Sequence, residues 1–304
     1  MSTSRTIHQL FQLIIASFIT ITWIIQQNTP TSTALFNQEK HPSFKTIIDP
    51  INCKTVPMDK EPHYTIQQYP NVSKSAVIDH APWSSHQEVV IKDALLDQQI
   101  LNMQSDSLFI DVGANIGQMT LTGLIRSIHT MAFDPLEYDI TKICSGVKET
   151  LDRGLMPLNG MDTLHLYRAV VGNESRGNVS ITRPDDGFGK FEQASLFKDT
   201  IGAARKPQTL VEEVVPMVKL DDIVPTNLPV GLVKIDVQGF EWPVVQGMKG
   251  LLERTSGYPN IVHYEEQERI TTLAGFQLGT VQTFLEGYGY ICTRLGSDIN
   301  CVKQ

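Results

Sequence analysis

The chain has 304 residues, enough for one large domain with appendages, and 41% of them are apolar, so a sizeable core is available. The net charge is -8 and the widest basic cluster is Arg205-Lys206. With no basic face to meet phosphates, nucleic acid is not expected as a partner. The four cysteines, Cys53, Cys144, Cys292 and Cys301, contain no CxxC pair, which excludes a zinc ribbon.

In chain order, the first element is an apolar run over residues 7–25, IHQLFQLIIASFITITWII, preceded by Arg5 and followed by no charge until Glu39. A span of that length crosses a bilayer, and the basic residue ahead of it keeps the N-terminus cytosolic. The segment reads as a signal anchor. A cleaved signal peptide with a small-residue site at Ser32-Thr33-Ala34 is the second reading, and a transit peptide or buried helix the third. The first two place the remainder in a lumen or outside the cell. The sequons at Asn71, Asn173 and Asn178 agree with that placement.

Residues 26–83 hold seven of the 16 prolines and show little periodicity. They read as a stem, or as an irregular segment lying on the domain surface. The expected organisation is an anchor over residues 1–26, a stem over 27–83 and a folded domain over 84–304. Ser85-His-Gln-Glu88 fits a capping box, and apolar residues from Val89 to Leu101 then recur at helical spacing.

Strand and helix patterns alternate from there. Strands are expected at 108–112, 130–133, 164–171, 232–237, 261–265, 290–295 and 299–302. Helices are expected at 116–127, 136–152, 241–254 and 280–287. Alternation argues for an α/β fold with a mostly parallel, seven-stranded sheet. The last two strands have no helix between them and predict an antiparallel hairpin closed around Gly296-Ser297-Asp298. Cys292 and Cys301 then face each other as a disulfide or as two small core residues.

The densest chemistry lies in Asp111-Val-Gly-Ala-Asn-Ile-Gly117. Its glycines let the backbone turn sharply and approach a ligand. Asp111 ends one strand and Asp134 the next, where ligands bind in open α/β sheets. An acid at Asp134 suits ribose hydroxyls. The dinucleotide fingerprint GxGxxG is absent, and an acid in the loop suits the amine and sulfonium of S-adenosylmethionine better than a pyrophosphate. A parallel sheet ending in an antiparallel hairpin is, further, the shape of class I (Rossmann-like) methyltransferases.

Four runs carry a family resemblance: the loop just quoted, Phe133-Asp134-Pro135, Lys219-Leu-Asp221 and Lys234-Ile-Asp-Val-Gln-Gly-Phe-Glu241. From about residue 108 to 263 the chain resembles the FkbM family of S-adenosylmethionine-dependent methyltransferases. The resemblance implies a class I fold, S-adenosylmethionine as cofactor, and mostly O-methylation. It carries the cofactor site onto Asp111, Gly113, Ala114, Asn115, Gly117 and Asp134. Two positions depart from the family pattern: Asp134 stands where Glu is usual, and Gln238 where a second Glu is usual.

An alcohol acceptor must lose its proton as it attacks. Asp236, at the carboxyl end of a central strand, is the candidate base; it also suits a carboxylate that orients a loop or the cofactor's methionine end. Glu265, Glu266 and His263 lie on the next strand, and Glu241 opens a helix. The irregular stretch from Arg183 to Arg205 has the length of a lid, with Phe188 and Phe191 available to stack on a sugar ring. The expected activity is methylation of a glycan, lipid or small-molecule acceptor, with no metal. Two rivals remain: a methyltransferase-fold binding module without activity, supported by Gln238, and a membrane-anchored glycosyltransferase, opposed by the absence of Asp-x-Asp.

Overall fold

The computed structural model describes residues 48–57, 65–68, 76–79, 95–96, 98–100, 102–158, 160–184, 195–197 and 209–304. The apolar run at 7–25, the capping box at 85–88, Phe188 and Phe191 lie outside the described residues, as does the sequon at Asn71. Among the described residues no helix is long and apolar enough to cross a membrane.

Strands β1 (Thr65–Gln68) and β2 (Ala76–Asp79) form an antiparallel pair. The main sheet begins with β3 (Leu108–Val112), followed by α1 (Gln118–Ile125), β4 (His129–Asp134), α2 (Glu137–Asp152) and β5 (Leu164–Arg168). After an excursion the chain returns through β9 (Val230–Ile235), α4 (Glu241–Gln246), α5 (Lys249–Leu252), β10 (Ile261–Glu265), α6 (Glu268–Leu273) and α7 (Thr280–Gly287). The hairpin β11 (Tyr290–Leu295) and β12 (Asp298–Lys303) closes it. The excursion holds β6 (Val170–Val171), β7 (Arg176–Pro184), β8 (Leu210–Val218) and the short α3 (Leu220–Ile223).

The seven strands lie in the order β11-β12-β10-β9-β3-β4-β5. Neighbours from β10 to β5 pair in parallel, and β12 runs antiparallel between β10 and β11. This is the expected mostly parallel sheet with its C-terminal antiparallel hairpin. Strands β3, β4 and β9 are buried along nearly their whole length, as continuous apolar runs between two helical layers should be. Core residues such as Phe109, Ile110, Met131, Leu232 and Val233 are fully buried.

Several expectations need correction. The strand expected over 164–171 is two: β5 stays in the main sheet, whereas β6 joins a second sheet of order β6-β8-β7. The ribbon of β7 and β8 flanks the stretch read as irregular and is absent from the expected strands, because Glu212, Glu213 and Pro216 interrupt the apolar alternation of β8. The helix expected over 241–254 breaks at Gly247. A Cβ there would stand 1.9 Å from the Gly172 carbonyl oxygen, so the helix meets the backbone of the excursion at its break. The turn after β9 begins two residues earlier than expected, leaving Asp236 just beyond the strand.

The stretch expected as a stem is partly docked. Ile51 donates its N–H to the Leu166 carbonyl, Cys53 is disulfide-bonded to Cys144 on α2, and Lys148 donates to the Val56 carbonyl. Residues 48–57 therefore sit against the β5 edge, capping part of its exposed ladder. The second disulfide joins Cys292 and Cys301, directly opposite one another across β11 and β12.

Candidate active site

The chain proceeds outward from β3 to β5, then returns to β9 on the other side of β3. Strand order reverses between β3 and β9, and in open α/β sheets the crevice at such a reversal is where ligands bind. A cavity of about 350 Å³ opens there. Gly113, Ala114, Asn115, Asp134, Asp236, Gln238 and Glu265 are among the residues that line it.

The loop at 113–117 is held on three sides. Gly113 and Ala114 donate their N–H groups to the Phe133 carbonyl, each at 3.0 Å. Gly113 has φ 74, and a Cβ on it would come within 1.9 Å of the Asp236 carbonyl oxygen. Glycine is thus required by conformation and by the closeness of the two strand ends. Asn115, also left-handed at φ 51, accepts the Ile116 N–H on its own side chain at 2.7 Å. Gly117 caps α1 at φ 92 but does not line the cavity.

Asp111 lies beneath the cavity and not along it. Its carboxylate is fully buried; Oδ2 accepts the Thr120 hydroxyl at 2.7 Å, and Oδ1 stands 3.2 Å from Lys234 Nζ. The register pairs Asp111 with Lys234 on adjacent strands. Lys234 also donates to the Gly113 carbonyl at 2.6 Å. Asp111 thus stands in an ion pair with a lysine that the sequence shows only inside the KIDVQGFE run.

Asp134 does line the cavity. Its Oδ1 accepts the Leu136 N–H and its Oδ2 the Asn115 N–H, both at 2.9 Å. Burial, opposed by those N–H groups, pushes its carboxyl up to about 7. Asp139, on the first turn of α2, hydrogen-bonds to it and is raised well above the usual carboxylate range by burial and by the Asp134 charge. Nothing in the sequence singles out Asp139, because its importance comes from a fold contact.

On the opposite wall, Gln238 bridges two acids: its Nε2 donates to Asp236 Oδ1 at 3.0 Å and lies 3.4 Å from Glu265 Oε2. Gln238 is held left-handed at φ 52, which aims the amide between them. The Ser297 hydroxyl donates to the other Glu265 oxygen at 3.2 Å. Glu241 does not reach the cavity lining. Its Oε1 accepts the Val237 and Gly239 N–H groups, and burial raises its carboxyl to about 7.

His263 is packed away at 1% exposure, with Nε2 3.6 Å from Asp298 and Nδ1 3.4 Å from Asn300. Glu266 binds Arg294 and accepts the Gly279 N–H. Ser195 and Leu196, from the excursion, reach the cavity, and Phe197 packs on Phe240 and Phe276. No cluster of three metal-ligating side chains occurs among the described residues.

The methyltransferase FkbM domain matches residues 111–292, more than half of the chain. The chain belongs to the FkbM methyltransferase family. It is a methyltransferase by that membership, and its fold is the one the family resemblance implied. No curated protein matches the methyltransferase. Among solved structures, it is similar to an rRNA methylase from Streptococcus thermophilus, at 10% identity and TM-score 0.37, over 72% of this chain and 98% of that one. It is also similar to precorrin-6y C5,15-methyltransferase from Geobacter metallireducens, at 12% identity and TM-score 0.37, over 86% of this chain and 100% of that one.

Proposed function

We propose that this methyltransferase uses S-adenosylmethionine to methylate a hydroxyl on a glycan, lipid or small molecule. The observation that carries the reading is the character of the cavity wall. Four carboxyl groups line it, from Asp134, Asp139, Asp236 and Glu265, against one amine, Lys234, which Asp111 already neutralises. Such a wall repels a pyrophosphate and suits a cationic ligand. The close-approach glycine at 113 and the acid at 134 fit the nucleoside part of that ligand.

S-adenosylmethionine supplies a methyl group on a sulfonium, activated for in-line displacement. The protein's work is alignment of the acceptor and removal of its proton. Asp236 is the group for the second task. It follows β9 at the crevice, and its N–H is anchored on the Val112 carbonyl at 3.0 Å. Gln238 fixes the Asp236 carboxylate in place, so the residue that departs from the family pattern still orients the acid, which supports an active enzyme over an inactive binding module.

The domain belongs, in this reading, to the lumenal or outer side of a membrane, tethered by residues 7–25. Two disulfides suit an oxidising compartment. The sequons at Asn173 and Asn178 lie on exposed residues.

Calorimetry with S-adenosylmethionine and with NAD tests the cofactor. Binding of the first and not the second is expected, and the reverse would sink the proposal. Asp134→Ala should weaken S-adenosylmethionine binding about tenfold, since it removes the hydroxyl acceptor and frees the Asn115 loop. Mass analysis of extract components methylated with a labelled donor then identifies the acceptor.

A further inference from the structure

Three half-buried polar residues stand together on one wall of the cavity: Asp236, Gln238 and Glu265. Tyr264 pairs with Ile235 across the parallel strands β10 and β9, so Glu265 and Asp236 come next, side by side. An amide nitrogen carries two N–H donors. Those of Gln238 serve both acids, with Asp236 Oδ1 at 3.0 Å and Glu265 Oε2 at 3.4 Å. Because they share one nitrogen, the two oxygens stand no more than about 6 Å apart.

Glu265 is also held from its other side. The Ser297 hydroxyl donates to Glu265 Oε1 at 3.2 Å, and the Ser297 carbonyl accepts the Glu266 N–H at 2.7 Å. The turn of the C-terminal hairpin is thereby fastened to the end of β10. One oxygen of Glu265 is set by Gln238 and the other by Ser297. A carboxylate fixed in this way loses little freedom when a ligand arrives.

Position along the sheet decides what that ligand is. The strand order β10-β9-β3-β4 carries Glu265, Asp236, Gly113 and Asp134 at successive strand ends. Three strand spacings of about 4.8 Å put Glu265 about 14 Å from Asp134. The nucleoside assigned to Asp134 therefore lies at one end, and Glu265 lies at the other, past the candidate base. An acceptor that brings one hydroxyl to Asp236 brings its neighbouring atoms to Glu265. An ionised carboxylate only accepts hydrogen bonds, so the neighbouring group is a donor. Two hydroxyls on adjacent carbons, each donating at about 2.6 Å, match a pair of carboxylates at this spacing.

We infer that Glu265 is an acceptor-binding residue that selects a vicinal diol, such as a sugar presents. It takes a hydrogen bond from the hydroxyl beside the one that Asp236 deprotonates, and Gln238 and Ser297 are its positioning residues. This rests on the reading of the cavity as a site of methyl transfer from S-adenosylmethionine. The attacking oxygen passes its proton to Asp236 and forms the bond to the methyl carbon. The methyl–sulfur bond breaks and leaves its electron pair on sulfur. Glu265 holds the acceptor and undergoes no bond change.

The test measures methyl transfer by the full chain to trans-1,2-cyclohexanediol, methyl glucoside and cyclohexanol, alongside calorimetry with S-adenosylhomocysteine. The native protein should use the two vicinal diols with kcat/KM about tenfold above that for cyclohexanol. Glu265→Ala should abolish that preference and bind S-adenosylhomocysteine within about twofold of the native protein. Ser297→Ala should raise KM for the diols about threefold without lowering kcat, and Ser297→Thr, which keeps the hydroxyl, should restore KM. Circular dichroism and thermal melting establish that the variants fold. If the native protein does not bind S-adenosylhomocysteine, the cofactor reading and this inference fall together. If it binds but uses cyclohexanol as well as the diols, or methylates none of the three, this inference falls and the cofactor reading stands. A diol preference that survives Glu265→Ala also overturns it. So does a Glu265→Ala variant that loses S-adenosylhomocysteine affinity as much as diol turnover, which assigns the carboxylate to the cofactor's amine.

Discussion

Replacing Lys234 with Met tests the frame beneath the site. The Asp111 side chain is 0% exposed and that of Lys234 9%, with Oδ1 and Nζ 3.2 Å apart. Removing the amine leaves a carboxylate inside the sheet with the Thr120 hydroxyl donating to it. Breaking a buried pair from one side costs about 3–5 kcal/mol. The lost hydrogen bond to the Gly113 carbonyl adds about 1 kcal/mol, overlapping in part. A destabilisation of about 4 kcal/mol lowers Tm by roughly 8–16 °C in a domain of this size. Removing both charges, in Asp111→Asn with Lys234→Met, should recover most of that. The assay is urea unfolding followed by circular dichroism at pH 7, with disulfides intact. A loss under about 1 kcal/mol for the single variant would refute the reasoning. So would a double variant as unstable as the single one.

Three other outcomes are expected. Gly113→Ala forces a Cβ to within 1.9 Å of the Asp236 carbonyl and imposes φ 74 on alanine; a loss of about 2–5 kcal/mol should appear in the same unfolding assay. Cys53→Ser with Cys144→Ser opens a link across a sequence separation of 91, and should cost about 4 kcal/mol and expose residues 48–57 to protease. Stability should also fall as pH rises from about 4 to 7. Burial raises Asp134 and Glu241 to about 7 and Asp139 in the same direction, so each contributes fully below its unfolded value and loses that contribution as pH rises through its folded value. Glu213 has the opposite sign. Burial would raise it, but Arg183, the Glu137 N–H and Arg168 together pull it below its ordinary value, so its contribution is lost only as pH falls below about 4. A urea midpoint that climbs between pH 5 and 8 would contradict this balance.

The loop at 113–117 was legible because its requirements are local. Two glycines, a strand before and a helix after are set by neighbours a few residues away, and the structure places Gly113, Ala114, Asn115 and Asp134 around one cavity. The hairpin was equally legible, since two strands with only a turn between them have one short way to pair. The ribbon of β7 and β8 was not, because Glu212, Glu213 and Pro216 interrupt the apolar alternation of β8. The pairing of Cys53 with Cys144 was also out of reach, since it depends on how residues 48–57 cross the sheet edge.

Asp111 marks the boundary between these cases. Its position after a strand and before two glycines reads as a ligand contact, and the structure pairs it with a lysine on the next strand. Inward-facing residues on a buried parallel strand meet the strand beside them, and here the neighbour is Lys234 in register. The acid and the lysine neutralise each other, and the lysine turns its remaining hydrogen-bonding capacity on the Gly113 carbonyl. The loop is therefore stiffened from below by a charge pair, while Asp134 lines the cavity above it. An acid at the carboxyl end of a strand identifies the edge where ligands bind, but only the register decides whether it faces the ligand or supports the residues that do.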